Sequence, residues 1–172
     1  MPELRRLAAD ANHSIASFGP LLLSVWKRET TVEALQGMEQ LIPGIAQEAP
    51  EGRVGLFVVV EPHASMPSSE ARAELSRIRR TSAIGLTALV FEGDGFAAAL
   101  VRGVTTSLNL LERGRTRTHI FANVSSAAAW IATAHVAYGG GAELEAATKA
   151  LRASSGPSHA SSRPEASAAD PR

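Results

Sequence analysis

Polar and apolar residues alternate in the N-terminal part of the chain in a way that predicts two short strands. Residues 13–18 have the two-residue period of a half-buried strand, and residues 21–28 form a second strand-like run. The Gly19-Pro20 break between these runs predicts a β-hairpin. For residues 1–12 we expect a short helix or a loose arm.

Two nearly continuous apolar runs predict the middle of a sheet. Residues 53–61 are rich in Val, and residues 84–92 repeat the pattern. A strand that is apolar on both faces belongs in a sheet that helices cover. We predict a further short strand at residues 118–123.

Segments with helical periodicity lie between these strands. Thr30 and Glu33 have the spacing of a capping box, and Pro43-Gly44 is expected to end or kink the helix that follows, near Ile42. Asp94 is placed to cap an amphipathic helix that contains Phe96. The remaining predicted helices cover residues 69–80, 127–139 and 142–152.

The predicted order of elements is β-β-α-β-α-β-α-β-α. Alternating strands and helices with apolar central strands indicate an α/β fold, with a mixed, mostly parallel five-stranded sheet and helices packed on it. The last segment is rich in Ser, Ala and Pro and lacks large apolar residues, so we expect disorder there. The chain divides into an arm, an α/β domain, a C-terminal helix and a tail, at residues 1–12, 13–138, 139–153 and 154–172.

The amino-acid composition argues against several classes of function. The 172 residues carry 17 basic and 17 acidic side chains, so no whole-molecule field attracts nucleic acid or an anionic membrane. Without cysteine, a disulfide, a thiolate zinc site and a cysteine nucleophile are all excluded. No signal-peptide pattern or membrane-spanning apolar run occurs, so we expect a cytoplasmic protein without stable membrane insertion.

No catalytic motif stands out, and we predict no enzymatic activity, metal or cofactor. A nucleophile elbow of the Gly-x-Ser-x-Gly type is missing, and Gly93-Asp94-Gly95 lacks the rest of a phosphate-binding loop. His63 follows a central strand, where such folds bind ligands, although an exposed loop histidine is the simpler interpretation. Ser68 and Ser69 have three candidate roles: helix cap, phosphorylation switch or nucleophile. The cap is favoured.

The derived order resembles the STAS family (sulphate transporter and anti-sigma-factor antagonist), and more narrowly the bacterial STAS-like proteins grouped with SEC14-type lipid-binding domains. The resemblance covers about residues 13–137. It is carried by the stretches LLLSVWKRETTVEAL, GLFVVVE, ALVFEGDGFAAALVRGVTTSLNLL and IFANVSSAAAWI. It implies a non-enzymatic domain that binds a partner protein until a kinase phosphorylates a serine at the start of the helix after the central strand.

By order of elements, the resemblance places that serine at Ser68 or Ser69. The chain departs from the usual Asp-Ser-Ser-Gly pattern, because Pro67 precedes the serines and Glu70 follows them. Glu70 would repel an added phosphate, and Arg72 would offset that repulsion.

Two functions from different classes remain open. The first is a regulatory protein-interaction module of bacterial signalling, which binds a kinase, a regulatory protein or a second copy of itself. Its expected docking residues are His63, Ser65, Met66, Arg72 and Phe96. The second is a small hydrophobic ligand or lipid-binding domain, which needs an enclosed apolar cavity between helices and sheet.

Overall fold

Six strands form one mixed sheet in the computed structural model, which describes residues 2–92, 117–134 and 140–153. The spatial order of the strands follows the sequence. The first two pairings are antiparallel and the next three are parallel, which confirms the mixed, mostly parallel α/β class. The strands are β1 (Leu4–Ala9), β2 (His13–Phe18), β3 (Leu21–Trp26), β4 (Val54–Val60), β5 (Ile84–Phe91) and β6 (Arg117–Phe121).

Four described helices cover the two faces of this sheet. They are α1 (Val32–Glu48), α2 (Ser69–Thr81), α3 (Val124–Ala134) and α4 (Gly141–Ala153), and a 3₁₀ turn (Pro50–Gly52) follows α1. Helices α1 and α2 pack on one face, while α3 and α4 pack on the other. Among these helices, none is both long and apolar enough to cross a bilayer.

The central strands are buried on both faces, which explains their continuous apolar sequence. Phe57 and Val59 of β4 belong to the core beneath α3 and α4, whereas Leu56 belongs to the core beneath α1 and α2. In β3 every residue is buried. The predicted strands 53–61 and 84–92 are therefore confirmed as β4 and β5, and they lie side by side in parallel.

Strand β1 corrects the prediction for the N-terminus and raises the number of strands from five to six. It pairs antiparallel with β2, with a bulge between Arg6 and Ala8. Leu4 packs against the core on one face and Leu7 against the core on the other. Their three-residue spacing hides a strand from period-two analysis, so the short helix or loose arm was wrong. Pairing with β2 outweighs the weak intrinsic secondary-structure preference of the β1 residues.

Helix α1 corrects two local predictions. Thr31 rather than Thr30 is the N-cap, and its hydroxyl oxygen accepts a hydrogen bond from the Ala34 N–H at 3.2 Å. The helix also continues through Pro43 to Glu48, because Ile45 and Ala46 are buried in the same core. The predicted end near Ile42 is therefore wrong, and the alternative of a kink there stays a prediction. Pro43 itself is exposed, so the lost backbone hydrogen bond stays on the solvent side.

Several predictions lie outside the described residues. These are the turn at Gly93-Asp94-Gly95, the amphipathic helix with Phe96, and the tail at residues 154–172. The division into arm, domain, C-terminal helix and tail stays a prediction.

Candidate functional site

The loop between β4 and α2 lies at the carboxyl edge of the parallel strands, the edge at which open α/β sheets usually bind their ligands. Two hydrogen bonds fasten this loop to the chain just after β3. The Ser65 N–H donates to the Arg28 carbonyl at 2.7 Å, and the Ser65 hydroxyl donates to the same oxygen at 3.2 Å. The Ala64 N–H also donates to the Glu61 carbonyl at 3.0 Å, which closes a turn. These bonds anchor the loop at Ser65 and close a turn from Glu61 to Ala64.

Met66 is displayed on this loop. Its surface is 61% exposed, and it is the one large hydrophobic residue that the described part of the chain leaves exposed. Complete burial of a methionine side chain stabilises a protein or a complex by about 1.5–3 kcal/mol. A partner that covers this side chain would gain that burial, and the anchored loop lowers the entropy that binding costs.

The two serines at the start of α2 occupy different positions. Ser68 is the N-cap, and its hydroxyl oxygen accepts a hydrogen bond from the Ala71 N–H at 3.1 Å. This geometry confirms the helix-cap interpretation of Ser68. Ser69 is the first residue of the helix and is exposed. The Arg72 guanidinium donates from Nη1 to the Pro67 carbonyl at 2.8 Å, which positions its positive charge beside the same helix start.

The structure brings together most of the residues that the sequence nominated for docking. His63, Ser65 and Met66 lie on the loop, and Arg72 lies in the first turn of α2 together with Ser69, which the sequence nominated for phosphorylation. All five are exposed. Phe96 lies outside the described residues. That these residues bind a partner stays a prediction.

Sequence reasoning missed an ion cluster at the same edge of the sheet. Arg152 of α4 donates from Nε to Glu61 Oε1 at 2.7 Å and from Nη2 to Glu92 Oε2 at 2.6 Å. Glu92 Oε1 accepts from the Val124 N–H at 3.3 Å. The cluster ties the ends of β4 and β5 to both α3 and α4. The available signal was that Glu61 and Glu92 each directly follow an apolar strand, but Arg152 is too distant in sequence to reveal the pairing.

A second missed pair joins Lys27 to Ser14. The Lys27 Nζ donates to the Ser14 hydroxyl oxygen at 2.7 Å. Burial lowers the pKa of Lys27, and the carboxylates of Asp10 and Glu61 partly oppose that change. Serine–lysine pairs act as nucleophile and base in some hydrolases. Ser14 is 0% exposed, however, so no substrate reaches its hydroxyl, and the pair is best interpreted as a link between β2 and the end of β3.

A metal centre has no evident place in the described ranges. No group of three or more His, Asp or Glu side chains there is arranged to hold a metal ion.

Comparison with protein-family models, with curated proteins and with solved structures gives no significant match. The resemblance to STAS domains therefore rests on the order of elements and on the quoted stretches of sequence alone.

Proposed function

We propose that this chain is a non-catalytic, STAS-like regulatory domain that binds another protein. The binding surface is formed by His63, Ser65, Met66, Ser69 and Arg72, which we call the Met66 surface. The single observation that carries the proposal is the 61% exposure of Met66 on an anchored loop at the carboxyl edge. The favoured partner is a kinase or another regulatory protein, and a second copy of this chain is the alternative.

The hydrogen bonds of the loop favour binding by reducing its entropic cost. A flexible loop loses conformational entropy when a partner orders it, at about 1–2 kcal/mol per residue for the backbone. The bonds from Ser65 to the Arg28 carbonyl and from Arg72 to the Pro67 carbonyl order both ends of the Met66 segment beforehand. The apolar contact of Met66 with a partner then contributes more fully to affinity.

Phosphorylation at Ser69 is the form of regulation that this geometry supports best. Ser69 is exposed, whereas the hydroxyl oxygen of Ser68 already accepts the Ala71 N–H. A phosphate on Ser69 would lie near the N–H groups at the start of α2 and near the Arg72 guanidinium. It would also put about two negative charges beside Met66, where an apolar contact with a partner would be lost.

Site-specific photo-crosslinking tests this proposal. The variant Met66→p-benzoylphenylalanine, made in the native host cell, is expected to crosslink one defined protein. A matched control is Gln47→p-benzoylphenylalanine, which puts the same reagent at an exposed position on α1. We expect the crosslink at position 66 and not at position 47.

The crosslinked protein is then purified and its affinity for the chain is measured by calorimetry. Ser69→Asp should weaken binding about tenfold or more, which corresponds to 1.4 kcal/mol. Ser126→Asp, which puts the same charge in the exposed first turn of α3, should leave the affinity unchanged. Equal crosslinking at positions 66 and 47 would refute the docking surface, and equal effects of the two aspartates would refute the switch.

The ligand-binding alternative has weaker support. A lipid or small hydrophobic ligand calls for an enclosed apolar cavity. The groove beside α1 is lined mainly by apolar residues, but it is open to solvent rather than enclosed.

A further inference from the structure

The two methionines in the described part of the chain have opposite surroundings. Met66 is 61% exposed on the loop between β4 and α2, whereas Met38 of α1 is 3% exposed in the core. Met66 belongs to neither hydrophobic core cluster, while Met38 is a member of the cluster beneath α1 and α2. Small solutes therefore reach the side chain of Met66 and not that of Met38.

The absence of cysteine leaves Met66 as the most accessible target of a two-electron oxidant in the described part of the chain. Cysteine thiolates usually intercept peroxides, but this sequence contains no cysteine. Of the two tryptophans, Trp26 is buried and Trp130 is half-buried. Susceptibility to oxidation follows exposure, so the thioether of Met66 is the favoured site.

Hydrogen bonds anchor the chain on both sides of Met66. The Ser65 N–H and hydroxyl both donate to the Arg28 carbonyl, and the Arg72 guanidinium donates to the Pro67 carbonyl. These bonds use no atom of the Met66 side chain. Oxidation of a buried methionine disrupts a core, whereas oxidation of Met66 changes the chemistry of a surface and leaves the fold intact.

We propose that Met66 is a reversible oxidation site that controls docking of a protein at the Met66 surface. This role of Met66 rests on the proposed docking function and adds a form of regulation to it. The sulfoxide is polar, so its burial against a partner loses hydration that the thioether did not have. Binding is therefore weaker in the oxidised chain.

The oxidant is hydrogen peroxide or another peroxide. Its O–O bond breaks, one oxygen atom forms a bond to the Met66 sulfur, and the other oxygen leaves as water. The sulfur loses two electrons in this step. A methionine sulfoxide reductase with a dithiol reverses it: the dithiol becomes a disulfide, and the sulfoxide oxygen leaves as water.

The first test needs no partner. The full chain is treated with hydrogen peroxide, catalase removes the excess, and peptide mass spectrometry follows the sulfoxide at each methionine with time. Met66 should oxidise at least about tenfold faster than Met38. The circular dichroism spectrum should stay unchanged while Met66 is converted. Equal rates at the two methionines, or unfolding that accompanies the oxidation of Met66, would overturn the proposal.

The second test measures affinity by calorimetry for the protein that crosslinking at position 66 identifies. Only the chain is exposed to peroxide, and the peroxide is removed before the partner is added. The oxidised chain should bind about tenfold or more weakly. Reductases for both sulfoxide epimers, supplied with dithiothreitol, should restore the affinity of the untreated chain.

Two leucine variants provide a matched pair. Met66→Leu removes the sulfur from the surface, and Met38→Leu makes the same change in the core, where a swap of similar volume is usually tolerated. Whatever its starting affinity, Met66→Leu should bind equally before and after peroxide treatment. Met38→Leu should still lose about tenfold on treatment.

The outcomes separate the oxidation site from the docking function. If the treated chain binds as tightly as the untreated chain, or if Met66→Leu responds to peroxide as the unaltered chain does, the oxidation site is overturned and the docking function stands. If the untreated chain binds no partner, the docking function is overturned, and the regulatory role of Met66 with it.

Discussion

Ser68 and Ser69 are adjacent and have the same side chain, yet their roles in the fold differ. The Ser68 hydroxyl oxygen satisfies the Ala71 N–H at 3.1 Å, one of the four backbone donors that a helix start leaves without an intrahelical partner. Ser69 lies one residue inside the helix, where its exposed side chain is available to a modifying enzyme. Stability depends on the first serine, and the proposed regulation depends on the second.

Alanine substitutions separate these two roles. Ser68→Ala should lower the free energy of unfolding by about 1 kcal/mol, because the cap hydrogen bond is lost. Ser69→Ala should change it by less than about 0.5 kcal/mol, as surface substitutions usually do. Urea unfolding followed by circular dichroism measures both values. A larger loss for Ser69→Ala than for Ser68→Ala would contradict the assignment of the cap.

At the scale of elements, an ion network fastens α1 to α2. Arg77 of α2 donates to Glu39 of α1 and to Glu74 one turn earlier in α2, the latter at 2.8 Å between Nη2 and Oε1. Ser82, just after α2, donates from its hydroxyl to Glu39 Oε1 at 3.1 Å. Hydrogen bonds from Arg77 lower the pKa of both carboxyls below the ordinary value of 4.5, and the same bonds raise the pKa of Arg77.

This network predicts a dependence of stability on pH. A carboxyl whose pKa is lower in the folded state contributes stability above its unfolded pKa and loses it as pH falls through the folded pKa. Arg77→Met should therefore be less stable than the unaltered chain at neutral pH. The difference should shrink as pH falls below 4.5, the ordinary pKa of both carboxyls.

Thermal unfolding between about pH 3 and pH 7 measures this difference. Arg80→Met is the control, since Arg80 is exposed and lies in the same helix. Its effect should be small and should not depend on pH in this window. A difference between Arg77→Met and the unaltered chain that grows in acid would contradict the assigned network.

For the whole molecule, burial on both faces explains which features could be predicted. Strands β4 and β5 are central, so both of their faces must be apolar, and that requirement is visible as a continuous run in the sequence. The cap at Ser68 was predictable because helix capping is local. Strand β1 was not, because its stability comes from pairing with β2 and its leucines lie three residues apart.

In the candidate site, too, local features could be predicted from the sequence and long-range contacts could not. The nominated residues from His63 to Arg72 are close in sequence, so their proximity in space could be predicted. The ion cluster of Glu61, Glu92 and Arg152 joins three distant parts of the chain and appears only after the sheet and α4 are assembled. The groove between α1 and the outer strands likewise depends on the placement of β1 beside α1.

Amide hydrogen exchange tests most directly whether a partner protein binds at the Met66 surface. It is measured on the chain alone and in complex with the partner that crosslinking identifies. We predict that the partner slows exchange in residues 62–72 and leaves the exchange of β1 and of the exposed face of α4 unchanged. Slower exchange confined to β1 or β6, with residues 62–72 unaffected, would show that the partner binds a sheet edge and would contradict the account.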